Sequence, residues 1–300
     1  MFWLRAARAP FFTGSFAPAL VGTATAYHEL SSIDWLRAFL VLVGLTAIHA
    51  GANLANDYYD HLSGNDEINV RRAAPFTGGS RFIQDGLASR RDILLASLVS
   101  LGAGGIIGLY LTYVAGWPIL ALGLFGGITG FAYTAPPLKL GYRGLGEIVV
   151  FLDFGLLPVL GSHFVQTESF GIVPIIAGML VGLLMTNVLW INQFQDAEAD
   201  AAVGKRNWVV RLGRQRAALV HAGFFGATYV VLVLSVAMRL LPVSSLLALL
   251  SLPLASWALA VSLRRYDQLE LLRPANVATI LTHLSGSLLL AAGLVLPCFA

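Results

Sequence analysis

One stretch of the sequence groups amides and carboxylates at the spacing of a metal-binding helix face. The stretch reads GANLANDYYDHLSGND at 51–66, and its amides and acids include Asn53, Asn56, Asp57 and Asp60. Because an α-helix repeats every 3.6 residues, these four side chains fall within an arc of about 100°. His49 lies one turn deeper on the same stripe. Oxygen ligands on one helix face are typical of a site for a hard cation.

A second polar stripe occurs in NVLWINQFQDAEADAAVGKRN at 187–207. Asn192, Asp196 and Asp200 are spaced i, i+4 and i+8, so they share an arc of about 80°, whereas Glu198 points to the opposite side. Both stripes end predicted helices that run in the same direction, four helices apart. We therefore expect the two acidic faces to confront each other across a cavity.

Carboxylates that share a cavity repel one another unless a cation lies between them. Mg²⁺ takes oxygen ligands and is commonly completed by substrate phosphates. The basic residues near the acids are Arg71, Arg72, Arg81, Lys139, Lys205 and Arg206. This combination predicts a site for Mg²⁺ and a diphosphate. The alternative is that the acids only solvate helix ends, but Asn53 and Asn192 extend the stripes back into apolar segments, which favours a functional site.

The elements that carry these residues are predicted to be transmembrane helices. The chain has 300 residues, of which 57% are hydrophobic and 12% charged, and its mean hydropathy of +0.76 excludes an ordinary soluble enzyme. Apolar windows near the roughly 20 residues that cross a bilayer recur along the chain, and they are too long for barrel strands. We predict an all-α fold of nine spans at 10–28, 33–61, 92–114, 117–135, 145–167, 171–196, 216–238, 242–263 and 274–298.

These spans are expected to form one domain over 1–300, with helices 1–4 and 5–8 as two similar halves followed by a ninth helix. The start MFWLRAARAP resembles a signal-peptide n-region, but we expect a retained first helix because eight more spans follow. Cys298 is the only cysteine, which excludes an intramolecular disulfide.

The loop charges predict the orientation. Of the 19 Lys and Arg residues, all but Arg37 and Arg239 fall in connections on one side. The positive-inside rule places that side, the N-terminus and both acid stripes at the cytoplasmic face of the cell membrane. The connection from 62 to 91 on this side is long, and long ordered loops tend to be functional.

The two acid motifs resemble those of a known family, the UbiA superfamily of membrane prenyltransferases. NDYYD at 56–60 is similar to its first aspartate-rich motif, and DAEAD at 196–200 is similar to its second. NDYYDHLSGND, YTAPPLKLGYRGLGEIVVFLDFGLLPVLGSHFVQT at 133–167 and DAEADAAVGKRNWVVRLG are most similar to the branch that prenylates 1,4-dihydroxy-2-naphthoate for menaquinone biosynthesis. INQFQD and PFTGGSR depart from that branch, which bears on the acceptor more than on the reaction type.

The resemblance implies a metal site with two Mg²⁺ ions. Asn56, Asp57 and Asp60 would bind the first ion, and Asp196 and Asp200 the second. Asn53 and Asn192 would complete or orient these sets. Asp66 matches a Gly-x-Asp position of the branch and is a weaker ligand candidate.

The same resemblance implies a mechanism and partners. An isoprenoid diphosphate would place its head between the motifs and its tail between helices in the bilayer, and no nucleic acid is expected. Mg²⁺ and basic side chains would neutralise the leaving diphosphate, these side chains being Arg81, Lys139, Lys205 and Arg206. Tyr133 is a candidate wall for the allyl cation, ahead of Phe131, Tyr142 and Trp190, with simple packing as the alternative for each. An aromatic acceptor would then be prenylated with loss of CO₂, and either Asp57 or Asp66 could be its base or a metal ligand.

Several alternatives stay open at this stage. A transporter is the rival class, although transporters commonly place polar residues near the bilayer midplane rather than at one face. Other acceptors are 4-hydroxybenzoate, homogentisate, a chlorophyllide or a glycerol-based lipid. Gly78 and Gly79 could form an anion-binding nest or a plain turn, and His49 could face the acceptor or pack between helices. The sequence sets neither the prenyl length nor the oligomeric state.

Overall fold

The computed structural model describes residues 2–74 and 76–296, and these residues contain helices but no strands. Cys298, the end of the predicted helix 274–298 and Pro75 of PFTGGSR lie outside them. The α-helices are α1 (Phe2–Ala6), α2 (Thr13–Leu30), α3 (Trp35–Ser63), α4 (Asn65–Ile68), α5 (Arg90–Ala115), α6 (Pro118–Ala132), α7 (Gly146–Phe151), α8 (Leu157–Thr167), α9 (Ile172–Ala202), α10 (Trp208–Leu212), α11 (Arg214–Ala237), α12 (Leu252–Arg265) and α13 (Arg273–Val295). The all-α prediction is confirmed.

The helices identify a multi-pass membrane protein. Within the described part of the chain, seven helical stretches are long and apolar enough to cross a bilayer, namely Trp35–Ser63, Arg90–Ala115, Gly146–Thr167, Ile172–Ala202, Arg214–Ala237, Val243–Arg265 and Leu269–Val295. α6 is apolar but shorter, and α2 is not among the seven. The nine-span count, the two similar halves and the cytoplasmic N-terminus therefore stay predictions.

The ends of α3 and α9 determine how far each acid stripe is helical. The Asp34 side chain caps α3 by accepting from the Arg37 N–H at 3.0 Å, and the helix ends where Gly64 turns left-handed at φ 77°. The first stripe therefore lies wholly within α3. The helix predicted to end at residue 196 continues to Ala202, so α9 carries all of the second stripe.

Close helix contacts position the region between α6 and α9. α7 and α8 are joined by a π-helical segment, Leu152–Leu156, so the stretch from Gly146 to Thr167 is a continuous helix with a local bulge. A Cβ added to Gly155 would lie 2.2 Å from the Gly182 Cα of α9. Glycine at 155 thus allows the bulge to pack directly on the α9 backbone. α9 is largely buried and contacts α2, α7, α11 and α13.

Candidate active site

The two acid stripes line one polar cavity between α3 and α9. The predicted ligand residues that line this polar cavity are Asn53, Asn56, Asp60, Asp66, Asn192, Asp196 and Asp200. Residues 76–79 and Tyr133 contribute further wall. The structure therefore brings together the two stripes that the sequence predicts to face each other.

Asp57 is the predicted ligand that does not line the polar cavity. It is buried, its carboxylate forms an ion pair with the Arg8 guanidinium, and it accepts from the Ser80 N–H at 3.1 Å. The chain reaches this position through a left-handed backbone at Arg8, with φ 58°. Asp57 therefore holds the N-terminal segment at Arg8 and the loop at Ser80 beside the polar cavity.

Within the first stripe, Asn56 and Asp60 form a local pair. The Asn56 amide donates to Asp60 Oδ2 at 2.7 Å, and the Tyr142 hydroxyl lies 3.5 Å from Asp60 Oδ1. The Asn53 amide donates to the Ala7 carbonyl at 3.0 Å, which leaves its side-chain oxygen available to a metal ion. Asn53, Asn56 and Asp60 line the polar cavity without an ion-pair partner in the described structure, whereas Asp57 is paired with Arg8.

The second stripe is held by amides that follow the first one. Asn69 Nδ2 donates to Asp196 Oδ1 at 2.7 Å, and Asn65 Nδ2 donates to Asp200 Oδ1 at 3.0 Å. Asp200 also accepts from Asn207 at 2.7 Å. The sequence reasoning gave these three asparagines no role; Asn65 and Asn69 belong to the polar run NDEIN immediately after Gly64, and Asn207 ends the stretch that carries the second stripe. They orient the carboxylates, as second-shell residues do at metal sites.

A third helix supports Asn192. Its side-chain oxygen accepts from Asn276 Nδ2 at 2.8 Å, and Asn276 belongs to α13, which carries none of the predicted ligands. Asn276 is fully buried. Because an isolated amide in an apolar helix has no spacing signature, the sequence reasoning did not single it out.

Asp66 lies on α4, directly beside Gly79. A Cβ on Gly79, whose φ is 72°, would lie 2.7 Å from Asp66 Oδ2, so a side chain at 79 would collide with the carboxylate. Burial, reinforced by Asp60 and Asp57, raises the pKa of Asp66 to about 7. Because burial and neighbouring carboxylates disfavour the charged form of Asp66, binding of a cation nearby would stabilise that form.

Lys205 is the one member of the predicted basic rim that lines the polar cavity. Its Nζ lies 3.2 Å from Asp200 Oδ1, and its side chain is 11% exposed. Burial lowers the pKa of Lys205, but the carboxylates of Asp200 and Asp60 outweigh burial and raise it well above the ordinary value. Lys205 therefore carries a permanent positive charge in the polar cavity. Arg8, which the sequence reasoning treated only as a topology signal, also lines it.

The other predicted basic residues have different environments. Arg71 is exposed and pairs with Glu198 at 3.4 Å, and the Arg81 guanidinium donates to the Asp66 carbonyl at 2.7 Å. Lys139 lies 5.0 Å above the Tyr142 ring. The exposed Arg206 meets this loop through its backbone N–H, and the Arg72 side chain packs against Gly78. None of these five residues lines the polar cavity.

The aromatic candidates also separate by position. Tyr133 lines the polar cavity and packs on Gly141, where an added Cβ would lie 2.8 Å from its ring. Phe131 stacks edge-on against Tyr59 at a centroid distance of 5.8 Å. Trp190 is buried elsewhere, and its indole N–H donates to the Ala217 carbonyl at 2.8 Å. Trp190 is thus a packing residue, and Tyr133 is the one of the four predicted aromatic candidates that lines the polar cavity.

The residues present fit a divalent cation that is shared with phosphate oxygens. Across residues 2–74 and 76–296, no three Asp, Glu, His or Cys side chains form a complete metal site by themselves. Amides and cations already hold several of the acids, yet Asn65 Oδ1 is buried in this region without a hydrogen-bond partner. Mixed Asp and Asn oxygens, incomplete without an added ligand, suit Mg²⁺ more than a metal caged wholly by protein.

An apolar chamber continues from the polar cavity between α2, α3, α5, α6 and α8. The two spaces share His49, Ala52, Gly130, Asp153 and Phe154. The glycines that line this apolar chamber are Gly14, Gly44, Gly104, Gly108, Gly123, Gly126, Gly127, Gly130 and Gly161. Missing side chains on these five helices leave room for a hydrocarbon chain beside the acids. His49 is buried at the junction, and its Nδ1 lies 2.8 Å from the Ser15 hydroxyl.

Comparison with known proteins gives the same family that the two acid motifs resemble. Residues 15–293 match the model of the UbiA prenyltransferase family. The chain is 32% identical to 1,4-dihydroxy-2-naphthoate octaprenyltransferase of Escherichia coli (strain K12), over 99% of the chain and 96% of that protein. It is 28% identical to 2-carboxy-1,4-naphthoquinone phytyltransferase of Synechocystis sp., over 97% and 92%.

Solved structures share the fold. A structure of digeranylgeranylglyceryl phosphate synthase superposes with a TM-score of 0.66 at 17% identity, covering 98% of this chain and 97% of that one. A UbiA homolog from Archaeoglobus fulgidus bound to DMAPP and Mg²⁺ gives a TM-score of 0.61 at 16% identity, covering 96% and 98%.

Proposed function

Because the chain belongs to the UbiA prenyltransferase family, we propose that it transfers a polyprenyl group from an isoprenoid diphosphate to 1,4-dihydroxy-2-naphthoate, with release of CO₂, in menaquinone biosynthesis. The observation that carries this proposal is the junction of the polar cavity with the apolar chamber. A substrate with a diphosphate head and a hydrocarbon tail needs both environments side by side.

The metal role is assigned to the oxygens of the two stripes. Asn56 and Asp60 would hold one Mg²⁺, Asp196 and Asp200 a second, and Asp66 lies close enough to the acids to assist either. When bound, the ions supply positive charge that makes the diphosphate a better leaving group. The homolog bound to DMAPP and Mg²⁺ supports this assignment at the level of the fold.

The chain's own residues contribute charge, dryness and an aromatic surface. Lys205 lies within the polar cavity and would donate to diphosphate oxygens as the C–O bond breaks. The apolar chamber excludes water that would otherwise trap the allyl cation. Tyr133 offers a π face to that cation and no strong nucleophile. These three effects favour transfer over hydrolysis.

The bond changes follow from the acceptor's chemistry. The ring carbon that bears the carboxylate of the electron-rich naphthoate attacks the prenyl C1 while the diphosphate departs with the electron pair of the C–O bond. Loss of the ring carboxylate as CO₂ then returns its bonding electrons to the ring and restores aromaticity. Ring hydroxyls that donate hydrogen bonds to an acceptor raise the electron density available for attack.

The membrane orientation is part of the proposal. The one-sided distribution of Lys and Arg supports a site at the cytoplasmic face of the cell membrane. There, the soluble acceptor enters from the polar side and the prenyl chain from the bilayer.

The proposal is tested with the full-length protein purified in detergent. It is incubated with Mg²⁺, farnesyl or geranylgeranyl diphosphate, and a panel containing 1,4-dihydroxy-2-naphthoate, 4-hydroxybenzoate and homogentisate. We expect diphosphate release and a prenylated, decarboxylated product with the naphthoate, and loss of both when EDTA is added. No diphosphate release with any acceptor would falsify the proposal, and a preference for another acceptor would replace the naphthoate.

Two variants test the ligand assignment against a matched acid. Asp60→Ala and Asp196→Ala should each lower turnover by about 10³-fold or more, because each removes a proposed ligand oxygen pair. Glu270→Ala, which alters an exposed acid far from the polar cavity, should leave turnover within about twofold of the parent. Near-normal turnover of either Asp variant, as monodisperse folded protein, would show that the ligand at that position is wrongly assigned.

A further inference from the structure

Asp153 is a carboxylate in the middle of a membrane-spanning stretch, and the sequence reasoning gave it no role. It lies in the π-helical segment Leu152–Leu156, within the apolar stretch from Gly146 to Thr167. It lines both the polar cavity and the apolar chamber. Ionisable groups at such depth are costly, and π-bulges frequently mark functional sites. A carboxylate in this place therefore calls for a function.

A single hydroxyl group, that of Thr129, is the hydrogen-bond donor to the Asp153 carboxylate among the described residues. The Thr129 hydroxyl lies 3.0 Å from Asp153 Oδ1 and 2.8 Å from Oδ2, but it also lies 2.7 Å from the Phe125 carbonyl. One hydroxyl proton can serve only one of these acceptors. No Lys, Arg or His side chain pairs with Asp153 in the described part of the structure. The carboxylate thus retains acceptor capacity that faces the two spaces.

The surrounding glycines keep the carboxylate accessible. A Cβ added at Gly126 would lie 3.7 Å from Asp153 Oδ1, and one at Gly130 would lie 3.8 Å from Oδ2. Larger side chains at these positions would cover both oxygens. The absence of side chains on this face of α6 leaves space for a ligand directly against Asp153.

His49 completes the surroundings. Its ring stacks edge-on against Phe154 at a centroid distance of 4.6 Å, and Ser15 fixes its Nδ1. Nε2 has no hydrogen-bond partner among residues 2–74 and 76–296. The Phe154 ring, the His49 Nε2 atom and the Asp153 carboxylate are together suited to bind a planar molecule that carries hydroxyl groups.

The depth of Asp153 separates it from the diphosphate. A Cβ added at Gly130 would lie 3.8 Å from Asp153 Oδ2 and 3.8 Å from the Ala52 Cβ. Asp153 and Ala52 are therefore both neighbours of Gly130. Ala52 precedes Asn56 by about 6 Å and Asp60 by about 12 Å along α3. Phosphates held by Asn56 and Asp60 would therefore lie farther toward the C-terminal end of α3 than Asp153. The prenyl C1 and the attacking ring would lie closer to Asp153 than the phosphates do.

We propose that Asp153 binds the aromatic acceptor by accepting a hydrogen bond from one of its ring hydroxyls, with His49 beside the ring. This inference rests on the proposed function. A charge-assisted hydrogen bond to a carboxylate is strong, and it raises the electron density of the ring that attacks C1. The acceptor's own carboxylate would face Lys205 and Arg8, the cationic side chains that line the polar cavity, which fixes which ring edge meets the prenyl group.

The test compares substrate constants of the parent and of Asp153→Asn. The KM for 1,4-dihydroxy-2-naphthoate should rise about tenfold or more, whereas the KM for geranylgeranyl diphosphate should stay within about twofold. The analogues 1-hydroxy-2-naphthoate and 4-hydroxy-2-naphthoate, each lacking one hydroxyl, are measured as competitive inhibitors. The parent should bind one of them about tenfold more weakly than the other, and Asp153→Asn should bind both alike.

Two further variants separate acceptor binding from structural damage. Gly126→Val leaves Asp153 in place but covers its carboxylate, so it should abolish the discrimination between the two analogues; because Gly126 also lines the apolar chamber, its KM for the prenyl diphosphate does not enter the comparison. Thr129→Val removes the protein partner of Asp153 and should retain the discrimination between the two analogues. The inference is overturned if Asp153→Asn and Gly126→Val discriminate like the parent, or if Asp153→Asn loses affinity for both substrates equally. Absence of turnover in the parent with every acceptor would instead overturn the proposed function.

Discussion

The Asn65 amide donates to Asp200 at 3.0 Å and so connects the turn after the first acid stripe to the second stripe. Asn69 makes the equivalent contact to Asp196 at 2.7 Å. Both asparagines belong to α4 or its end, which follows Gly64 at the end of α3. The distance between the two stripes is therefore set by a four-residue helix as well as by the packing of α3 and α9.

We expect Asn65→Ala to weaken metal use. The change removes the donor that orients Asp200 and the unpartnered oxygen Asn65 Oδ1. Loss of a residue that orients a metal ligand commonly lowers metal affinity by about 10- to 100-fold, so the Mg²⁺ concentration for half-maximal turnover should rise by that order. The measurement is a Mg²⁺ titration of turnover. Ile68→Ala, which alters an exposed side chain on the same helix, should give the parent's titration curve.

Lys205 and its neighbour Arg206 offer a second matched pair. Lys205 lines the polar cavity beside Asp200, whereas Arg206 is exposed. Lys205→Met should lower kcat/KM for the prenyl diphosphate by about 10²-fold, because a buried cation that stabilises the leaving group is lost. Arg206→Met should remain within about threefold, since exposed charges are screened by salt. Equal losses in the two variants would argue for a general electrostatic attraction instead of a specific contact.

Helical periodicity was sufficient to predict the principal pairing of the site. Asn56 and Asp60 on α3, and Asp196 and Asp200 on α9, face one polar cavity as their spacing indicates. This succeeded because apolar segments of membrane length leave only one regular structure, and a helix fixes which residues share a face. The prediction of the family is confirmed by the match to the family model.

Loop geometry and long-range contacts were beyond the reach of the sequence. Charge alone nominated six basic residues for the diphosphate, but only Lys205 lines the polar cavity, because the backbone path decides which side chain points inward. Arg8 reaches Asp57 across 49 positions of sequence. Asn276 meets Asn192 from α13, and no local pattern encodes such a contact. Asp153 lies within the apolar run IVVFLDFGLLPVLG, and no spacing pattern there indicated a function for it.

Chain-length selection should depend on the glycines of the apolar chamber. Gly108 of α5 lines this chamber, and a Cβ added there would have no atom within 4 Å. Gly108→Phe should therefore fill space without disturbing the helix packing. Turnover with geranyl diphosphate should persist, whereas turnover with geranylgeranyl diphosphate should fall about tenfold or more, because the longer tail loses its room. Gly102→Phe, at an exposed position of the same helix, should treat both donors as the parent does.

Glu147 is expected to stabilise the fold rather than the chemistry. It is buried, and its Oε1 accepts from Gln193 at 3.0 Å and from the Trp208 N–H at 3.2 Å, which joins α7, α9 and α10. Glu147→Leu leaves both donors unsatisfied at about 1–3 kcal/mol each, so the unfolding temperature in detergent should fall by about 5–10 °C. Glu168→Leu, which removes an exposed partner of Arg37, should shift it by about 2 °C or less. A parent-like unfolding temperature for Glu147→Leu would contradict this role.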